Sequence, residues 1–149
     1  MHRSPRAKAL VWIVRESALG PEVLLLERPS RRGGGLHPVT GKAHQDETPL
    51  AAAEREALEE TGLAGKLTEL GFAHDYEDLR RGQMREHAFV MKVAGESEPR
   101  LSDEHVAARW VPAHEVDALL EWPAHRQSLR LALIAATRKF SLHPKKKSL

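Results

Sequence analysis

Cysteine is absent from this 149-residue chain, aromatic side chains make up only 5% of it, and no apolar stretch approaches the roughly 20 residues that a bilayer-spanning helix needs. Without a thiol there is no disulfide framework, no zinc–thiolate site and no cysteine nucleophile, and the composition suits a reducing compartment. The apolar run Ala9–Val14 behind the basic start Met1–Arg6 is too short for a signal-peptide core, so a cytoplasmic protein is expected. Charge of one sign is also scarce in the balance. A formal net charge of +2 makes no general case for binding polyanions. Lys145–Lys147 near the C-terminus carry no interleaved aromatic residues, which favours a solvated basic tail over residues 141–149 rather than a specific nucleic-acid contact.

Against these absences, 41% apolar and 30% charged residues are ordinary for a globular chain, and the length suits one domain, with an ordered core over about residues 8–140. Lys8–Glu16 and Glu22–Arg28 are apolar and read as strands joined through the Gly20-Pro21 breaker. Pro29–His37 is Arg/Gly-rich and reads as a mobile loop, and Pro38–Ala43 reads as extended. Thr48 followed by Pro49 predicts a helix start, with the helix running to about Thr61 and Gly62 as its cap. Lys66–Asp78 and Met84–Ala94 read as strands around an Arg80–Gln83 turn, and Val106–Val111 as a shorter strand. Pro112–Leu120 and Ala124–Phe140 read as helices separated at Trp122-Pro123. The pattern predicts an α+β fold, an α/β/α sandwich with a mixed sheet between helices.

One helix works against its own electrostatics. In "GKAHQDETPLAAAEREALEETGL", Gly41 to Leu63, the spacing puts Glu56, Glu59 and Glu60 within one turn of each other, on a face apart from an expected core stripe of Leu50, Ala53, Ala57 and Leu58. Like charges at these spacings cost a few tenths of a kcal/mol per pair, and acidic residues near a helix C-terminus oppose the macrodipole. A tolerated acidic surface would explain the cluster, and so would a set of hard oxygen ligands for Mg²⁺ or Mn²⁺.

The residues around the cluster separate the two. Gly41, Glu47, Arg55-Glu56, Ala57, Glu59-Glu60, Gly62 and Leu63 stand at the spacings of the signature box of the Nudix hydrolases, which this segment closely resembles. The resemblance implies the Nudix fold and metal-dependent hydrolysis of a nucleoside diphosphate linked to another moiety. Carried over, it makes Gly41, Glu56, Glu59 and Glu60 metal ligands for Mg²⁺ or Mn²⁺, and Glu47 with Arg55 a brace. Glu59, Glu104 and Arg55 would be the catalytic side chains. The approach Pro38-Val39-Thr40-Gly41 and the run "DEHVAARWVPAHEVDALLEWPAHRQSL" from Asp103 to Leu129 are similar to bacterial dihydroneopterin triphosphate and (d)NTP pyrophosphohydrolases. Two departures stand out: His125 where that group usually has Asn, and His37 where an aromatic residue is common.

The implied substrate is a nucleoside or pteridine triphosphate, split to the monophosphate and pyrophosphate. Arg28, Lys42, Arg81 and Arg126 are the candidate phosphate contacts. Trp110 and Trp122 are expected to pack in the core, and His87 and His105 to be hydrogen-bonded structural residues. The alternatives are a dinucleoside polyphosphate hydrolase and a non-catalytic nucleotide- or RNA-binding module, the intact box weighing against the latter. Relatives of this kind often form homodimers.

Overall fold

The strand after Ser4 is buried on both faces, which is why its sequence shows an unbroken apolar run rather than alternation. This strand, β1 (Arg6–Ser17), is the axis of a seven-stranded sheet. The computed structural model describes residues 4–137, so the Lys145–Lys147 tail lies outside the described residues. In chain order the remaining elements are β2 (Gly20–Glu27), β3 (Leu36–His37), β4 (Val39–Lys42), α1 (Pro49–Thr61), β5 (Lys66–Asp78), β6 (Gly82–Val93), β7 (Ala107–Pro112), α2 (Ala113–Val116) and α3 (Pro123–Thr137). The sheet is mixed: β1 runs parallel to β6 and antiparallel to β2 and β4, and β5 closes one edge against β6.

The register explains how the box reaches the sheet. β1 and β2 stay paired only as far as Val14 and Val23. Beyond that they diverge, β4 fills the edge of β1 from Val11 to Lys8, and β3 pairs with Leu26 and Glu27 of β2. Leu36–Lys42 is thus wedged between two strands that have parted, which buries His37 and brings Gly41 beside Ala9.

Side chains from the two faces of the sheet form two cores. Leu10, Trp12 and Val14 pack with Ala88, Val90, Val116, Leu129 and Ala132 on the side of α2 and α3. Ala9, Val11 and Ile13 pack with Leu24, Leu26, Phe89, Met91 and the alanines of α1 on the other. The α/β/α sandwich expected from the sequence is present.

Three local expectations are corrected. Pro29–His37 is ordered as a 3-10 turn at Ser30–Arg32, closed by backbone bonds from Arg32 and Gly34 to Pro29, and its end joins the sheet as β3. The helix expected over Pro112–Leu120 stops at Val116 and continues only as a 3-10 turn, with Leu120 already extended. In α1, Leu50 and Leu58 are exposed, whereas Ala52, Ala53, Ala57, Glu60 and Thr61 are buried. Small side chains let the helix lie close on the sheet. The positions between them on that stripe belong to Glu56 and Glu60, so these carboxylates share the inward face instead of occupying a separate polar one.

Candidate active site

α1 begins where Thr48 Oγ1 accepts a hydrogen bond from the Ala51 amide at 3.1 Å, with Pro49 pre-set at the first helical position. It ends at Gly62, whose φ of 72° puts it in the left-handed region that glycine adopts without strain. Between these caps the helix aims Glu56 at β4, and the Glu56 carboxyl packs so closely on Gly41 that a Cβ there would overlap it. Glycine at 41 is therefore a steric requirement of the carboxylate's position.

Arg55 organises the cluster. Its Nε and Nη2 grip the two oxygens of Glu47 at 2.8 and 2.9 Å, and Nη2 also donates to the Lys42 carbonyl at 3.0 Å. Nη1 donates to Glu56 at 3.0 Å and to Glu59 at 3.1 Å. The Arg55 fork, with help from the His44 amide, holds the Glu47 carboxyl down at about 2, and Glu47 and Glu56 hold the guanidinium above its ordinary value. Helix α1 is in this way tied to the loop in front of it and to β4.

Glu60 is buried and accepts a hydrogen bond from Ser102 at 2.9 Å. Burial pushes its pKa up to about 7, the Ser102 hydroxyl works against that, and the nearby Glu104 carboxylate adds to it. Burial also raises Glu56, with Glu59 and Glu104 reinforcing the shift against Arg55. Glu104, from a loop more than 40 residues downstream, thus joins the two helix carboxylates, while Glu59 lies at the margin with its side chain 56% exposed. Among the described residues no three acidic or imidazole groups converge on metal-ligand geometry as they stand. Arg55 lies against both Glu56 and Glu59 and offsets part of the crowded negative charge. The donor set itself, hard carboxylate oxygens packed on the Gly41 backbone, fits Mg²⁺ or Mn²⁺.

A second chain of polar contacts backs Glu60. His37 Nδ1 lies 2.6 Å from the Pro38 carbonyl, so that nitrogen carries the proton and donates. Its Nε2 then accepts from His105 Nε2 at 3.0 Å. His105 Nδ1 is left with its lone pair 2.9 Å from Glu60 Oε1, buried but not aligned for a hydrogen bond. Burial first, then the charges of Arg28 and His105, lowers His37 to about 3. A histidine depressed in the folded state contributes stability that is complete above its unfolded value near 6.5 and is lost as pH falls toward 3. The stability difference between wild type and His37→Gln is therefore expected to shrink on acidification from pH 7 to 4.5, measured by urea titration. A difference that stays constant with pH would contradict this.

A cavity of about 650 Å³ is lined by Thr40, the chain neighbour of Gly41, and by Lys8, Arg28, Arg81, Glu86, Trp122 and His125 among others, but by none of Glu56, Glu59, Glu60 and Glu104. Of the four phosphate candidates, Arg28 and Arg81 line it and Lys42 and Arg126 do not. The Arg126 guanidinium instead donates to the Leu120 and Asp117 carbonyls at 2.6 and 3.4 Å, tying the start of α3 to the turn before it. Trp122 is corrected too. It is 61% exposed at the cavity rim, whereas Trp110 is half-buried under the Arg15 guanidinium, 4.2 Å from its ring centre. Lys8, Glu86 and His125 were not singled out as site residues. The available signal was Glu86 at an inward position of β6, between Met84 and Ala88.

A model of the NUDIX domain matches residues 4–132, nearly the whole described chain. The chain belongs to the NUDIX family. Its fold is similar to an Ap4A hydrolase of C. elegans in a binary complex, with a TM-score of 0.75 and 23% identity, covering 88% of this chain and 98% of that one. It is equally similar to the E. coli dihydroneopterin triphosphate pyrophosphohydrolase, with a TM-score of 0.74 and 23% identity over 89% and 99% of the two chains. At the sequence level it is 35% identical over 118 residues to a Myxococcus xanthus octanoyltransferase, covering 76% of this chain and 33% of that protein. The NUDIX chain thus spans about a third of the length of this curated relative. None of its described helices is long and apolar enough to cross a membrane.

Proposed function

We propose that this NUDIX chain is a metal-dependent hydrolase that splits a nucleoside or pteridine triphosphate into the monophosphate and pyrophosphate. The observation that carries the reading is the gathering of Glu56, Glu60 and Glu104, with Glu56 seated on Gly41, whose chain neighbour Thr40 lines a cavity with basic side chains. Such an excess of carboxylate is unfavourable in the protein alone and becomes favourable when cations arrive with a polyphosphate.

Glu56 and Glu60, with Glu59 and the Gly41 carbonyl at the margin, would hold Mg²⁺ or Mn²⁺. That ion supplies charge neutralisation at the phosphoryl oxygens and a more acidic water. Arg28 and Arg81 at the cavity wall bind the phosphates, leaving the heterocycle to enter beside Trp122. Glu104, an exposed loop carboxylate near Glu60, would take the proton of the attacking water as its oxygen bonds to phosphorus and the bridging P–O bond breaks. Arg55 keeps its grip on Glu47, which fixes α1 and so the direction of both ligand carboxylates.

A second reading is hydrolysis of a dinucleoside polyphosphate, favoured by the fold likeness to a protein named as an Ap4A hydrolase. Purified protein with Mg²⁺ or Mn²⁺ and a panel of nucleoside triphosphates, dihydroneopterin triphosphate and dinucleoside polyphosphates, with products separated by anion exchange, tests both. Pyrophosphate release supports the first reading, and nucleoside triphosphate release supports the second. Turnover of none, or turnover unaffected by EDTA, would sink the hydrolase assignment.

A further inference from the structure

The deepest polar group of the cavity has no part in the chemistry above. Glu86 sits on β6 opposite Lys8 of β1, in parallel register, and is only 5% exposed where it lines the cavity. Its two oxygens face Lys8 Nζ at 3.7 Å and His125 Nε2 at 3.4 Å. Each oxygen thus faces one partner at a distance longer than a strong hydrogen bond, and each keeps a lone pair for a further donor.

Both flanking groups have other engagements. Lys8 Nζ donates to the Tyr76 hydroxyl at 2.9 Å. His125 is oriented by Trp12, whose ring stands edge-on to it at 6.4 Å and whose indole N–H is anchored on Ser128 at 2.8 Å. Burial opposes ionisation of Glu86, but His125 and Lys8 prevail and hold it below its ordinary value, so the group is a carboxylate at neutral pH. A buried carboxylate accepts and never donates.

We propose that Glu86 is the specificity-determining residue of this cavity and selects a heterocycle that offers two adjacent N–H donors, the 2-amino-4-oxo-pyrimidine ring shared by guanine and pterin. The proposal rests on the hydrolase reading only in taking the cavity as the substrate pocket. The ring N–H and the exocyclic amino group of that heterocycle point the same way at a spacing that matches the two oxygens of one carboxylate. Adenine and cytosine instead present a bare ring nitrogen beside an amino group, which sets a lone pair against the Glu86 charge. Arg28, Arg80 and Arg81 stand around the same cavity, so a triphosphate tail directed to them leaves the ring to Glu86 and the Trp122 indole to its face. Sites built to hydrogen-bond a substrate group reject analogues lacking it far more strongly than apolar pockets do.

The decisive measurement is equilibrium binding of monophosphates to the full chain in EDTA, which requires neither metal nor turnover. GMP and dihydroneopterin monophosphate are expected to bind at least about tenfold tighter than AMP and CMP, with IMP, which lacks the 2-amino group, in between. Glu86→Gln replaces one acceptor with a donor and so suits adenine: it is expected to weaken GMP and hold or improve AMP. Comparing GMP with dihydroneopterin monophosphate tells a purine site from a pteridine site. AMP binding as tightly as GMP to the wild type, or an equal loss of both ligands in Glu86→Gln, overturns the proposal. If the variant does not fold, the order GMP, IMP, AMP on the wild type decides alone. Binding in the expected order without any turnover in the substrate panel would overturn the hydrolase reading and leave this one standing.

Discussion

Glu60→Gln and Glu56→Gln are each expected to lower kcat by about 10²–10³-fold at saturating Mg²⁺, the scale seen when one preorganised electrostatic group is removed from a site. They are also expected to leave the fold intact and to raise the metal-free melting temperature. The two effects have one cause. Glu60 is buried beside Glu104, and its pKa is pushed up to about 7, so at neutral pH the ionised form is costly in the protein alone. Glutamine keeps the shape and the Ser102 contact and removes that cost. The group that catalysis requires is therefore one that stability, without cations, would discard. Steady-state kinetics together with thermal melts in EDTA and in Mg²⁺ check both halves. Full activity in both variants would end the assignment of these residues as ligands, and a lower metal-free melting temperature would end the electrostatic argument.

Arg55→Ala is expected to be the more damaging change to the protein itself. The guanidinium makes five hydrogen bonds, two of them to the Glu47 carboxylate and one to the Lys42 carbonyl. Charge-assisted bonds of this kind are worth about 1.5–3 kcal/mol each, and breaking a partly buried network leaves its other members unpaired, so a net loss of about 2–4 kcal/mol is expected. Glu47, Glu56 and Glu59 would lose their shared cation together. Activity should fall with stability, because α1 would no longer be held to the loop and β4 that orient its carboxylates. Arg55→Lys restores the charge without the fork and should recover only part of either property. Since the orphaned carboxylates would then favour any added cation, Mg²⁺ should raise the melting temperature of Arg55→Ala more than that of the wild type. Urea titrations give the loss in stability, and thermal melts with and without Mg²⁺ give the metal effect. A variant within about 0.5 kcal/mol of the wild type would show that the brace is dispensable.

Several elements were legible because they depend on local chemistry. Thr48-Pro49 and Gly62 mark the ends of α1, since a side-chain cap, a pre-set φ and a left-handed terminus are properties of a few neighbouring residues. The long strands follow from their composition and the turn between them: Lys66–Asp78 matches its expected bounds, and the strand expected over Met84–Ala94 runs Gly82–Val93. Where local sequence and structure differ, a distant contact decides. The helix after Pro112 ends at Val116, and Arg126 from α3 binds the carbonyls of Asp117 and Leu120 beyond it. Leu50 and Leu58 were assigned inward on hydrophobicity, but the close approach of α1 to the sheet admits alanines and turns the leucines out. Trp122 was assigned to packing for the same reason and stands at the cavity rim.

The sequence by itself determined the family, the box and the chemistry the box is suited to, because Gly41, Glu47, Arg55, Glu56, Glu59 and Glu60 lie within one short segment whose spacing is set by a loop and a helix. Only the tertiary structure decided what surrounds it. The wedge of Leu36–Lys42 between β1 and β2 set Gly41 under Glu56. The Ser102–His105 loop brought Glu104 and His105 to Glu60. The parallel pairing of β1 with β6 placed Lys8 beside Glu86, and α3 set His125 against it. Those partners are tens of residues apart, and the free energy that unites them comes from sheet pairing and two buried cores, which no local spacing encodes.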